Sequence, residues 1–415
     1  MRVYIIGAGL AGLSAAVALA QAGVTVEVIE AAAQAGGRCR SYYDPALEQV
    51  IDNGNHFVLT GNHAVMRYVE MIGAEAALVG PERARTHFVD IHTDKRWTIT
   101  PNGSALPLWL FDKARRVPDT TPADYLELVK LLTSGADRSI GEVLACKGPL
   151  WDRLLEPFFL GALNTRPQEA SAKLAGALVR ETFAKGGKAY RTRIAHPTLA
   201  AAFVDPAVAA VTARGGVVHL GRRVRTLTMV DDRLTALETS DGPITLDADD
   251  VVILATPPWV AKELAPSLSA PDDFRSIVNA HFKIPAPENA PGMLGVIGGV
   301  AEWIFSFPDR ISVTISGADA IVDRGREALA DVIWSDVAKA LRITGPMPPW
   351  QIVKEKRATF AATVEQDRKR PPARTRWRNL ILAGDWTQTG LPATIEGALR
   401  SGFKAADMAM RPGDV

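Results

Sequence analysis

The amino-terminal stretch MRVYIIGAGLAGLSAAVALAQAGVTVEVIE, residues 1–30, decides the fold. Residues 2–6, RVYII, read as a short buried strand, because β-branched and aromatic residues follow one another without polar alternation. Gly7-Ala8-Gly9-Leu10-Ala11-Gly12 opens an alanine-rich helical stretch that runs to Gln21, Gly23 closes it, and Val24 to Ile29 make a second strand ending at Glu30. The result is a βαβ unit carrying G-x-G-x-x-G at its first turn. Gly7 permits the tight turn, Gly9 lets a pyrophosphate approach the backbone, and Gly12 lets helix and strand pack closely. The unpaired N–H groups at the helix start suit that pyrophosphate. Glu30 stands where a carboxylate accepts both hydroxyls of an adenosine ribose and repels a 2′-phosphate.

The same apolar run has the look of a secretory leader, but Gly7, Gly9 and Gly12 break it at a spacing with its own physical purpose. No other stretch reaches the roughly 18–20 apolar residues of a membrane span, so a cytoplasmic location is expected. The 415 residues suffice for two cooperating domains. Forty-seven basic against 46 acidic residues leave a net charge of +1, which gives no global reason to expect nucleic acid. Cys39 and Cys146 are too far apart in sequence for a CxxC redox pair, the seven histidines are scattered, and no metal site is expected.

After Glu30 comes AAAQAGGRCR, in which Gly36 and Gly37 precede Arg38. Near the other end, Leu380 to Ala383 read as a strand, Gly384-Asp385-Trp386 follow, and GLPATIEGALRSGFKAA from Gly390 reads as a helix with Pro392 at its start. On these segments the chain resembles the flavin amine oxidases, phytoene-type desaturases and related FAD enzymes. The resemblance implies non-covalent FAD. Gly37 and Arg38 would lie along its pyrophosphate, and Gly384 and Asp385 at its ribityl or phosphate part. The helix starting at Thr394 and Ile395 would point its positive end at the flavin. The fold expected is α/β: a Rossmann-like FAD-binding domain assembled from discontinuous segments, with an inserted mixed α+β substrate-binding domain. The FAD-binding pieces are expected at 1–75, 201–265 and 351–415. The substrate pieces are expected at 76–200, mostly helical, and at 266–350.

Five longer stretches narrow the resemblance. They are GGRCRSYYDPALEQVIDNGNHFVLTGN from Gly36, LLEPFFLGALNTRPQEAS from Leu154, VVILATPPWVAKEL from Val251, QIVKEKRATFAAT from Gln351 and LAGDWTQTGLPATIEGALRSG from Leu382. Together they resemble the hydroxysqualene dehydroxylases, a squalene-associated FAD-dependent subgroup serving bacterial squalene and hopanoid synthesis. The chain departs from that pattern at Asn55, where glutamine is usual; both are amides. The implied activity is reductive. A hydride from reduced FAD replaces the hydroxyl of hydroxysqualene, a C30 allylic alcohol, and gives squalene.

Such a reaction needs a proton or a strong hydrogen bond for the departing oxygen and a dry cavity around the cation-like carbon. The polar candidates are His56 as proton donor, Asp52 as orienter or structural cap, Asn55, and Lys354 from the charged run Lys354-Glu355-Lys356-Arg357. Strand alternation puts Lys354 and Lys356 on one face and Glu355 and Arg357 on the other. Trp109, Leu110, Phe111, Phe158, Phe159, Leu160 and Trp259 are candidates to line the apolar tunnel. A long isoprenoid substrate implies peripheral contact with the inner face of the cell membrane, although no amphipathic anchor stands out. The sequence does not define the electron donor or an oligomeric state. Three rivals share parts of the pattern: an oxidative carotenoid or phytoene-type desaturase, an amine oxidase, and a non-catalytic prenyl-lipid-binding escort. No tyrosine accompanies Trp386 to make the aromatic sandwich of the amine oxidases.

Overall fold

In the computed structural model, which describes residues 1–411, the βαβ unit is the centre of a five-stranded parallel sheet. Its strands lie in the order 217–219, Thr25–Ile29, Arg2–Ile6, Val251–Leu254 and Leu380–Leu382. Segments more than 370 residues apart in sequence thus share one sheet, with Val252 paired to both Tyr4 and Leu380. All-apolar strands such as VVIL and LIL are those expected when helices cover both faces. Two of the helices are Leu10–Gln21 and Ile395–Ala409, and they cross at contact distance. A Cβ on Gly402 would fall 2.0 Å from Ser14 Oγ and 2.1 Å from the Ala11 carbonyl oxygen.

A second, seven-stranded mixed sheet lies in the order Trp350–Phe360, Phe274–Phe282, Ile311–Ile315, Trp303–Ser306, Met293–Ile297, Thr86–Asp90 and Lys95–Ile99. One face packs on helix Arg326–Leu341 through Val278, Val313, Ile304, Ile333 and Val337. The other face carries Trp303, Phe305, Phe88 and Trp97 toward the helices Glu156–Leu163 and Ala172–Glu181. The hairpins read at Asp231 and Asp241 form a separate three-stranded sheet, with Asp231 in the left-handed region at φ 53°.

Two expectations are corrected here. The 76–200 piece is not mostly helical at its start. Thr86–Asp90 and Lys95–Ile99 form a hairpin that completes the mixed sheet, turning at Asp94 with φ 51°. Its alternation, THFVD and KRWTI, is masked in sequence because charged Asp90 and Lys95 share a face with Phe88 and Trp97. The segment beginning at 351 also belongs elsewhere up to Phe360, since Trp350–Phe360 pairs antiparallel with Phe274–Phe282 in the mixed sheet. Only from Leu380 does the chain re-enter the parallel sheet. Pro392 lies short of the last helix, whose N-cap is Thr394.

Candidate active site

The glycine turn is built as its spacing predicts. Gly7 has φ 108°, and a Cβ on Gly12 would come 1.9 Å from the Gly7 carbonyl oxygen, so helix and turn touch backbone to backbone. Gly9 caps the helix, accepting from Leu13 N at 2.8 Å, and a Cβ there would meet no protein atom within 4 Å. Beside it runs the Gly36–Arg38 segment. Gly36 N donates to the Ala8 carbonyl at 2.8 Å, and a Cβ on Gly37 would lie 3.3 Å from Gly9 Cα. Two bare backbones therefore flank one open groove at a helix start. Glu30 binds Ala8 N at 2.7 Å and Ala32 N at 2.8 Å, fixing the end of its strand to the turn.

Arg38 departs from its expected posture. Of its five N–H donors, Nη2 gives two to Asp385, at 2.7 Å to each oxygen, and Nη1 gives one to the Ala358 carbonyl at 2.7 Å. One guanidinium nitrogen meets both oxygens of a carboxylate at the far chain end, and the other is taken by a backbone carbonyl, instead of both being held free for phosphate. Its side chain is still 45% exposed, while that of Asp385 is 6% exposed. Asp385 is held in turn by buried Arg370, which donates to its carbonyl oxygen at 3.0 Å. Gly384 has φ 148° and donates to Ser401 Oγ at 2.8 Å. Thr394 caps the last helix by accepting from Gly397 N at 3.1 Å, with Ile395 as its first residue. Trp386 is buried, with its indole N–H bonded to the Thr256 carbonyl, so it contributes no sandwich.

A groove with a helix start, two glycine backbones, an arginine–aspartate pair and a second helix start fits FAD on the chemistry of its donors. Gly7, Gly9, Gly12, Glu30, Gly37, Arg38, Gly384, Asp385, Thr394 and Ile395 are the residues that would hold it.

Beyond it the loop 52–56 reaches the mixed sheet. Asp52 accepts from Ser41 Oγ at 2.6 Å and Leu199 N at 2.8 Å, and Arg310 stands 3.7 Å away, so it acts as a structural cap and anchor. His56 lies beside Asp52 and Asn55 in a narrow space closed by Leu199 and Phe307. Burial, and then the positive Arg38, push the imidazole down to about 4. That direction favours the neutral ring and weighs against a resting cation as the proton donor expected at His56.

Lys354 is corrected too. Its strand neighbour is Val278, on the face packed against helix Arg326–Leu341, and its ammonium donates to the Arg324 carbonyl. Glu355, on the opposite face as alternation requires, takes a 3.4 Å hydrogen bond from Asn53 Nδ2 and lies 3.8 Å from Arg40. The expected tunnel bank does not assemble as one wall. Phe111 is 74% exposed, Trp109 packs on Tyr125, and Trp259 packs on Phe274.

The sheet face supplies what the sequence reading missed. In register across it lie Asn279, Thr314, Trp303, Gly295, Phe88 and Trp97, a row that passes from amide and hydroxyl to indole and phenyl. Phe57 adds a ring 6.2 Å from Trp303. A signal for Asn279 existed: it is the one amide in the strand FRSIVNAHF, flanked by Val278 and Ala280.

A cavity of about 690 Å³, lined by Leu160, Arg166, Ile315, Gly317 and Glu302 among others, opens at the end of this sheet. Burial raises the Glu302 carboxyl to about 8 against the hydrogen bond it accepts from Ser316 N. The folded protein keeps a proton there that the unfolded chain releases above about pH 4.5. Stability should therefore fall as pH rises from about 4.5 to about 8. Glu302→Gln should lack this loss, so the melting temperature of the variant should gain on wild type steadily across that range. Parallel curves would remove the buried acid.

The fold and groove define an FAD-dependent oxidoreductase of the flavin amine oxidase class. Residues 10–410 match the family described as flavin containing amine oxidoreductase. Cyclohexylamine oxidase from Brevibacterium oxydans superposes with a TM-score of 0.72 at 15% identity, covering 100% of this chain and 99% of that one, and so shares the fold. The sequence itself is more specific. It is 54% identical over 412 residues, 99% of both chains, to a hydroxysqualene dehydroxylase of Rhodopseudomonas palustris. It is 52% identical to the Sinorhizobium fredii enzyme of the same name, over 99% of this chain and 98% of that one. The chain belongs to the hydroxysqualene dehydroxylase family.

Proposed function

We propose that the protein carries out the FAD-dependent reductive dehydroxylation of hydroxysqualene to squalene, within squalene and hopanoid synthesis. The observation that carries this reading is the near-full-length likeness to the hydroxysqualene dehydroxylase of Rhodopseudomonas palustris, 54% identical over 99% of both chains. FAD, when reduced, supplies the two electrons and the hydrogen that replace the hydroxyl, and the oxygen leaves as water after taking a proton. The chain's own part is to align the carbinol, exclude water from the cation-like carbon, and hold the chain of the substrate by apolar contact. An external two-electron reductant must restore the cofactor.

Product analysis separates this from the oxidative desaturase reading. Anaerobic enzyme with reduced FAD should convert hydroxysqualene to squalene, and enzyme with oxidised FAD should leave phytoene unchanged. The opposite pattern would favour a desaturase. A colourless protein that takes up no FAD would favour an escort.

Peripheral contact with the membrane is the accompanying proposal. Among the described residues no helix is long and apolar enough to cross a membrane. The neighbouring turns 108–111 and 122–126, joined by the Trp109–Tyr125 ring contact, expose Leu108 at 62%, Phe111 at 74% and Leu126 at 66%. A lipid surface is the source of a C30 hydrocarbon and the apolar phase these side chains suit. Leu108→Ser with Phe111→Ser should reduce co-sedimentation with phospholipid vesicles severalfold while leaving flavin content unchanged. Unaltered co-sedimentation would remove this surface from consideration.

A further inference from the structure

Loop 52–56 meets the mixed sheet through a chain of polar side chains whose direction is set at one end. The Asn53 carbonyl oxygen has no hydrogen to give, so the Asn279 atom 3.3 Å from it is the amide nitrogen, which donates. Asn279 Oδ1 is thereby turned to Thr314, whose hydroxyl donates to it at 2.8 Å. A hydroxyl has one hydrogen. Thr314 Oγ1 therefore meets Asn55 as an acceptor, and the Asn55 amide nitrogen donates to it at 3.4 Å. Asn55 Oδ1 is left facing the other way, fully buried and with no donor among the described residues.

The relay is held closely. Gly54 comes so near Asn279 that a Cβ would lie 2.9 Å from its amide nitrogen, and Asn53, Asn55 and Asn279 are 4%, 6% and 1% exposed. Flipping the Asn55 amide to hide its oxygen would set that oxygen against Thr314, whose only hydrogen is already given to Asn279. The fold thus fixes a bare acceptor at the polar end of the aromatic row.

We propose that Asn55 Oδ1 accepts the hydrogen of the substrate's hydroxyl, with Thr314 and Asn279 as positioning residues that hold the amide in that sense. The proposal rests on the functional reading above, in which the substrate is an allylic alcohol and the product the matching hydrocarbon. Those two molecules differ in one hydrogen-bond donor. An acceptor that only the alcohol satisfies favours substrate over product and helps the product leave, because a site built to bond a hydroxyl discriminates against the analogue lacking it. The same contact orients the carbinol carbon and steadies the hydroxyl as it gains a proton.

The test uses holoenzyme with oxidised FAD and follows the perturbation of the visible flavin band by hydroxysqualene and by squalene. Wild type should favour the alcohol by about tenfold, the worth of one neutral hydrogen bond. Asn55→Ala and Thr314→Val should bring the ratio near one while squalene affinity stays as in wild type. Thr314→Ser, which keeps the hydroxyl, should restore the preference. Flavin content reports on folding of each variant, and Asn55→Ala gives the same readout if Thr314→Val fails to hold the cofactor. A wild-type ratio near one, or a ratio unaltered in Asn55→Ala, would overturn the proposal and leave the functional reading standing. Failure of both ligands to perturb the flavin would overturn the functional reading and this proposal with it.

Discussion

Gly9→Ala and Gly12→Ala are expected to lose FAD for two different reasons, and their stabilities should show it. A methyl group on Gly12 would sit 1.9 Å from the Gly7 carbonyl oxygen and 3.3 Å from Ile5 Cγ2, inside the packed contact of first helix and first strand. Backbone cannot yield as a flexible side chain can, and overpacking of this kind costs about 1–3 kcal/mol or more. The Gly12→Ala protein should purify nearly free of flavin, with a melting temperature several degrees below that of the wild-type apoprotein. A methyl group on Gly9 would touch no protein atom within 4 Å. Gly9→Ala apoprotein should therefore melt with wild type and yet bind FAD at least tenfold more weakly, because the methyl occupies the approach of the pyrophosphate. Flavin-to-protein ratio and apoprotein melting read the two effects separately. Wild-type flavin content in Gly9→Ala would mean that the cofactor does not cross this turn.

The second large effect belongs to the pair that ties the chain's ends together. Arg38 and Asp385, 347 residues apart, share two contacts of 2.7 Å. Charge-assisted hydrogen bonds are worth about 1.5–3 kcal/mol each, with the lower end appropriate to a half-exposed arginine. Asp385→Ala removes the group that orients Arg38 and leaves in place the backbone carbonyl that Arg370 binds. FAD affinity should fall by about 10–100-fold, equivalent to about 1.4–2.8 kcal/mol. Arg38→Ala should fall similarly, and the double variant should be little worse than either single one, since each residue acts through the other. Additive losses in such a cycle would show two independent contacts with the cofactor and would set aside the ion pair as the organising unit.

How much of this was legible beforehand follows from the range of the interactions. The βαβ unit and its glycines are local, so periodicity and turn chemistry sufficed for Arg2–Ile6, Leu10–Gln21 and Thr25–Ile29. The resemblance of the GGR and GDW segments located both partners of the Arg38–Asp385 pair, but not that they would bind one another, because that bond depends on a contact between distant segments. The hairpin 86–99 escaped because charged Asp90 and Lys95 share a face with Phe88 and Trp97 and its turn uses Asp94 in place of glycine. His56 lies beside Asp52 and Asn55, and its pKa is held down to about 4. Sequence shows a histidine, whereas its protonation depends on the burial and the Arg38 charge that folding brings to it. Lys354 shows the same limit at the level of a strand. Alternation correctly separated it from Glu355, and only the pairing with Phe274–Phe282 shows which of the two faces turns inward. Asn279 and Thr314 came from no motif at all, being ordinary polar residues that register across the sheet places beside Asn55.

In the proposed reaction this chain holds FAD between its two ends and uses it to replace the hydroxyl of a long allylic alcohol. The most direct measurement is an anaerobic single turnover, in which enzyme holding fully reduced FAD is mixed with one equivalent of hydroxysqualene. Flavin colour and squalene mass are followed in the same sample. The flavin band should return at the rate at which squalene forms, with one squalene for each flavin reoxidised. Flavin that stays reduced while squalene appears, or flavin that reoxidises with hydroxysqualene intact, would contradict it.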